Sequence, residues 1–158
     1  MLFARINRSN PEKIFVVAKN SYSTAALSNG QAVIWDWTTD MDGVGVTRAT
    51  ATVNEAAGTD IAGIAVEAIA AGDYGLLQVY GYHSAVRVRT LTSTGHVYHE
   101  SRHPVAKGSR LAGGLTAGFT LEGVTPAETA QVIDGCGVAL AAQASFTTKA
   151  VAVFLKCL

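Results

Sequence analysis

The sequence predicts an all-β protein: a small closed β-barrel or β-sandwich built from two similar hairpin units, with at most a short helical turn near residues 126–132. Three observations carry that expectation. Short runs rich in β-branched and aromatic residues recur along the chain, each ended by glycine, asparagine or serine turn signals. The stretch with the most helix-tolerant composition, IAVEAIAA at 64–71, has Glu67 as its only polar residue, so it lacks the polar face of an amphipathic helix. The pattern Gly-apolar-Ala-apolar-x-Ala also occurs twice, at Gly63–Ala68 and at Gly137–Ala142.

Taken in order, Ile14–Ala18 (IFVVA) is a short apolar run closed by the polar segment KNSYS. The turn signal Ser28-Asn29-Gly30 precedes QAVIWDW, in which Val33, Trp35 and Trp37 alternate with Ile34 and Asp36. Asp40–Gly45 reads as a loop, and the following VTRATATV suits an exposed strand. Gly63–Ala68 and Leu76–Tyr82 then form a hairpin across the glycine-bounded connection 70–75. In Tyr82–Leu91, Val86 and Val88 face one way and Arg87 and Arg89 the other, the mark of a half-buried strand. Glycine punctuates Gly108–Gly123 too often for a helix and suits turns between short strands. Thr125-Pro126-Ala127-Glu128 has the chemistry of a helix start, which Ile133-Asp134-Gly135 stops within roughly two turns. The closing KAVAVFLKCL alternates Val151, Val153 and Leu155 with Ala152, Phe154 and Lys156 and reads as a strand.

The repeat extends beyond its glycine motif. Without a gap, Leu77–Tyr80 falls on Val151–Phe154, and the turn glycine Gly30 matches Gly108. The expected organisation is an N-terminal arm over residues 1–13 and a single β domain over 14–158, with repeat units of about 27–82 and 106–156. A second hairpin turning near Phe146-Thr147 would set Cys136 and Cys157 about opposite each other, close enough for a disulfide if oxidised. Two cysteines are too few for a disulfide framework, and free thiols are the expectation.

Composition excludes several classes of function. Twelve Lys+Arg balance twelve Asp+Glu in 158 residues, so no net field draws nucleic acid or an anionic membrane. Charged residues make up 15% of the chain and hydrophobic residues 49%, a surface suited to cover by a partner or by further copies of the chain. The start, MLFARINRSNPEKIF, lacks the apolar core of a signal peptide, and no run of about 18 apolar residues occurs. Synthesis as a soluble cytoplasmic product is the expectation.

No constellation points to catalysis, and no cofactor or metal is expected. His96, His99 and His103 have spacings that resemble a ligand series, but no cysteine completes them and Glu100 is the only carboxylate nearby. A polar loop or an intersubunit contact is the simpler reading. Asp36, Asp40 and Asp42 before Gly43 resemble a calcium loop without its closing glutamate. Trp35, Trp37, Tyr80 and Tyr82 could stack on sugars or bases, though aromatic residues on strands more often serve a core or an interface. Leu2, Phe3 and Ile6 interspersed with Arg5 and Arg8 suit an arm that orders on a partner. The candidate contact residues are therefore Leu2, Phe3, Arg5, Ile6, Arg8, Trp35, Trp37, His96, His99 and His103.

The segment IAGIAVEAIAAGDYGLLQVYGYHSAVRV, followed by VAKGSRL, GCGVALAA and KAVAVFL, resembles the head decoration (cement) proteins of tailed bacteriophages. The likeness runs from about Asp60 to the C-terminus, and Ala70–Gly81 (AAGDYGLLQVYG) is its most specific piece. The resemblance implies a small β protein of the virion that sits on the outer capsid surface as a dimer or trimer, clamps neighbouring major capsid subunits and stabilises the shell. A carbohydrate-binding β-sandwich of a phage particle, with Trp35, Trp37 and Tyr82 as its platform, is the alternative.

Overall fold

A computed structural model describes residues 12–39, 43–48, 61–89, 105–113, 121–123, 136–144 and 147–157. Their regular structure consists of strands: β1 (Ile14–Asn20), β2 (Ala32–Trp35), β3 (Gly45–Thr47), β4 (Ile61–Ala65), β5 (Tyr74–Arg89), β6 (Arg110–Gly113), β7 (Leu121–Gly123), β8 (Gly137–Ala139) and β9 (Lys149–Lys156). The all-β expectation holds. The helical turn expected near 126–132 lies outside the described residues.

The strands form one sheet in the order β1-β3-β2-β4-β5-β7-β6-β8-β9, and two further pairings, β1–β5 and β5–β9, close it twice. The first ring runs β1-β3-β2-β4-β5 and the second β5-β7-β6-β8-β9. They share β5, whose 16 residues serve the first ring with one half and the second with the other. The pairing senses repeat as well. β1–β3 and β5–β7 are parallel, and every other pair around each ring is antiparallel. Closure leaves neither ring with a free edge for strand addition among the described pairings.

The loop hydrogen bonds repeat too. Leu27 and Ile69 form an isolated bridge, as do Val105 and Gln143. The Gly30 N–H donates to the Ala65 carbonyl at 2.8 Å, and the Gly108 N–H to the Ala139 carbonyl at 2.7 Å. Gly63 and Gly137 share a reason for being glycine. A Cβ at Gly63 would lie 3.0 Å from the Gln78 carbonyl oxygen, and one at Gly137 would lie 2.8 Å from a Val153 methyl. The strand could not approach its partner so closely with a side chain there.

Register corrects three sequence expectations. Ala65 pairs with Leu77 and Ala139 with Val153, so Leu77 corresponds to Val153, two places beyond the gapless alignment. A two-residue slip preserves the inward face, which is why alternation alone could not exclude it. The strands expected at Leu76–Tyr82 and Tyr82–Leu91 are, over the described residues to Arg89, one strand, β5, bent by an irregularity between His83 and Val86. Of the strand expected in VTRATATV to be exposed, Val46 and Thr47 belong to β3 and Val46 is buried in the core, while residues 49–53 lie outside the described residues.

Two apolar clusters fill the molecule. Ala18, Leu27, Val33, Val46, Ala62, Ala65, Ile69 and Leu77 pack inside the first ring, with Val16 and Trp35 against them. Val86, Val88, Val105, Leu111, Ala139, Val151, Val153 and Leu155 fill the second, joined by Ala32, Ile61 and Ile64 from β2 and β4. Each fully buried leucine, isoleucine or valine contributes roughly 1.5–3 kcal/mol. β2 and β4 thus feed one core from each face, and all five residues of β4 are buried. A strand covered on both sides has no polar face, which accounts for the unbroken IAGIA.

Backbone contacts lock the ring junction. The Arg87 N–H donates to the Gly30 carbonyl at 2.8 Å, tying the first ring's turn to β5 beside its bend. Gly81, at φ +96°, faces the Glu12 carbonyl, and a Cβ there would approach that oxygen to 2.1 Å. The last residues of the expected arm, Glu12 and Lys13, therefore lie across β5.

Candidate interaction surface

β1 alternates sharply in its middle. Val16 packs on the first core and Ala18 is buried within it, which turns Phe15 and Val17 outward. Val17 pairs with Leu76 and Lys19 with Tyr74 on β5, so these side chains share one outer face. Phe15 is 43% exposed, Val17 61%, Leu76 40% and Tyr74 63%. Together they form a contiguous apolar face across the pair that closes the first ring. The Glu67 carboxylate accepts the Leu76 N–H at 3.1 Å at its border, and Lys19 ends it.

The second ring shows that the fold does not require such a face. With Leu77 matched to Val153, Leu76 corresponds to Ala152, Tyr74 to Ala150, and the Lys19–Tyr74 pair to Arg87–Ala150. Val17 corresponds to the bend at Ser84–Ala85. Small or polar residues stand where the first ring exposes valine, leucine and tyrosine, while the cation is kept and Tyr82 keeps an exposed aromatic at the place of Phe15. The sequence reading missed this face because IFVVA has no polar alternation to reveal which side is wet.

The tryptophans are brought together. Trp35 is half-buried on the first core, Trp37 is 55% exposed, and their ring centroids lie 6.3 Å apart at 45°. Between them Asp36 builds a turn. One oxygen accepts the Thr38 N–H, the Thr38 hydroxyl at 2.8 Å and the Thr39 N–H at 3.1 Å, and the other accepts the Thr39 hydroxyl. Burial pushes its carboxyl up, but the Thr39 and Thr38 hydrogen bonds outweigh this and hold it below the usual carboxylate range. An Asp36 occupied in this way is a turn anchor, contrary to the calcium-loop pattern. Asp40 and Asp42 lie outside the described residues. Tyr82 pairs with Phe154 of β9, on another ring from the tryptophans.

Leu2, Phe3, Arg5, Ile6, Arg8, His96, His99 and His103 lie outside the described residues. No group of three or more histidine, cysteine or acidic side chains able to hold a metal occurs among the described residues. The remaining histidine, His83, is buried at the bend of β5, where its Nδ1 accepts the Ala85 N–H at 3.1 Å. Burial and then the nearby Lys13 ammonium lower its pKa, favouring the neutral imidazole. No described helix is long and apolar enough to cross a membrane.

These features define a two-ring β scaffold that presents an apolar sheet face and an aromatic pair. No family model matches the chain, and no curated protein matches it. Among solved structures, the chain is similar to the N base of the head fiber protein gp8.5 of bacteriophage phi29. The match has a TM-score of 0.50 at 12% sequence identity and covers 92% of this chain and 96% of that chain. At this identity the likeness is one of fold.

Proposed function

We propose that the chain is a structural virion protein that binds the outer surface of a bacteriophage capsid and stabilises the shell by bridging major capsid subunits. The observation that carries this reading is the fold shared, over nearly the full length of both chains, with the base of a phage head fiber. The resemblance of AAGDYGLLQVYG to head decoration proteins comes from sequence and supports it separately. The contact surface we assign is the β1/β5 face of Phe15, Val17, Tyr74 and Leu76, joined by the arm of Leu2, Phe3, Arg5, Ile6 and Arg8. The second ring retains the architecture with small or polar residues in place of Val17, Tyr74 and Leu76, so those three side chains serve something other than folding. A protein that binds only the assembled lattice stabilises it by mass action, and repetition over the shell multiplies weak contacts.

The test is co-sedimentation of the purified chain with cognate shells, with and without residues 1–13 and with the pair Val17→Ser and Leu76→Ser. Binding by the intact chain and at least a tenfold loss in the double variant are expected. Absence of the intact chain from pelleted shells defeats the proposal. Binding retained by both variants defeats the assigned surface.

The exposed Trp37, its ring tilted against that of Trp35, favours a second reading, a carbohydrate-binding module of a phage particle. A glycan-array signal abolished by Trp37→Ala and kept by Val17→Ser would favour that reading over capsid attachment.

A further inference from the structure

The chain has two cysteines, and the fold brings them to one place. Gly137 pairs with Leu155, so Cys136 precedes the first residue of β8, and the Lys156 N–H donates to its carbonyl at 2.8 Å. Cys157 follows the last residue of β9, one place past direct opposition, and its N–H donates to Val79 of β5 at 2.9 Å. The Cys157 thiol donates to the Cys136 carbonyl oxygen at 3.3 Å. Cys136 is buried in the second core and Cys157 packs against it, half-exposed. Both are thiols in this structure. The first ring has no counterpart, because Ala62 stands at the place equivalent to Cys136.

We propose that Cys136 and Cys157 are a disulfide-forming site, oxidised by exchange with a low-molecular-weight disulfide such as oxidised glutathione, and that the bond fastens β8 to β9 in the second ring. Cys157, the more exposed thiol, loses its proton and attacks one sulfur of the small disulfide. This forms a mixed disulfide and releases one small thiolate. Cys136 then loses its proton and attacks the Cys157 sulfur, forming the internal bond and releasing the second small thiolate. Two protein thiols and one small disulfide become one protein disulfide and two small thiols, so the balance closes. Contact with Cys157 and burial hold the Cys136 thiol well above its ordinary pKa, which makes the second exchange the slow step.

The bond would close a loop spanning 21 positions and restrain the unfolded chain. Its setting rests on the virion reading: a particle assembled in a reducing cytoplasm and released into an oxidising medium would gain the bond after assembly. The chemistry itself does not depend on that reading.

The experiment treats the reduced, purified chain with oxidised glutathione and follows thiol count in denaturant, intact mass and thermal unfolding. Loss of both thiols, a mass decrease of about 2 Da with no bound glutathione, and a melting temperature raised by roughly 5–10 °C are expected. Dithiothreitol should reverse all three. A Cys136→Ser variant should stop at the mixed disulfide on Cys157 and show no such rise. Two thiols still titrating after oxidation, a terminal mixed disulfide in the unaltered chain, or covalent dimers on a non-reducing gel would each overturn the proposal. None of these measurements involves a capsid, so a failure here is separate from a failure of capsid binding.

Discussion

Single residues fix the molecule where backbone meets backbone. At Gly81, a positive φ and a carbonyl in the path of any Cβ act together, so Gly81→Ala should lower stability by about 2–4 kcal/mol. Urea unfolding would register this as a lower midpoint at unchanged slope. Asn20 works by hydrogen bonding. Its buried amide donates to the Ile69 carbonyl at 3.0 Å and the Ala25 carbonyl at 3.2 Å, and its oxygen accepts the Tyr22 N–H at 3.0 Å. Asn20→Ala strips that N–H of its acceptor and should cost about 1–3 kcal/mol in the same assay. Neither role could be read from the sequence. A polar residue after IFVVAK looks like the end of a strand, and only the loop folding back over it makes the position interior. Val17 is the converse case, an apolar residue left outside, so Val17→Ser should change stability by under about 0.5 kcal/mol while weakening the proposed shell attachment.

Among the elements, β5 is the one both rings depend on, and its bend is held by His83. The imidazole takes up a proton near pH 6.5 in the unfolded chain but at lower pH in the folded one. Between those two values the unfolded state binds more protons. The stability His83 contributes is therefore complete above about pH 6.5 and is lost as the pH falls from there towards the folded value. His83→Asn keeps a side-chain acceptor for the Ala85 N–H and does not titrate. Its stability profile below pH 6.5 should be flatter than that of the unaltered chain, measured by urea midpoints across pH 5–7. The strand itself was partly legible, since Val86 and Val88 alternate with Arg87 and Arg89 as expected. Its continuity through Tyr82 was not, because glycine and serine beside an irregular register look like a turn when read alone. β4 shows the same limit: the strand expected at Gly63–Ala68 runs instead from Ile61 to Ala65, and nothing local marked it as buried on both faces.

At the scale of the whole molecule, closure rests on two long-range antiparallel pairings, β1–β5 and β5–β9. Both join segments far apart in sequence, so substitutions that weaken either should slow folding more than changes within a turn. The proposed attachment to a shell also belongs to this scale. One exposed apolar face, repeated over many copies, can deliver avidity that no single contact supplies. If capsid attachment is right, added protein should raise the temperature at which shells open, and Phe15→Ser should reduce that gain. Light scattering of heated shells would measure both.

The sequence by itself determined the class of structure and its duplication. Alternation, turn glycines and the doubled Gly-apolar-Ala motif are local, and local chemistry selects strand over helix without reference to the rest of the chain. Tertiary structure decided which faces became surface. Phe15, Val17 and Leu76 are as apolar as Val33, Val46 and Leu77, and their difference in burial comes from which side of the closed first ring each one faces. Burial is a property of what lies opposite, and pairings such as Val17 with Leu76 bring together residues that the chain keeps far apart.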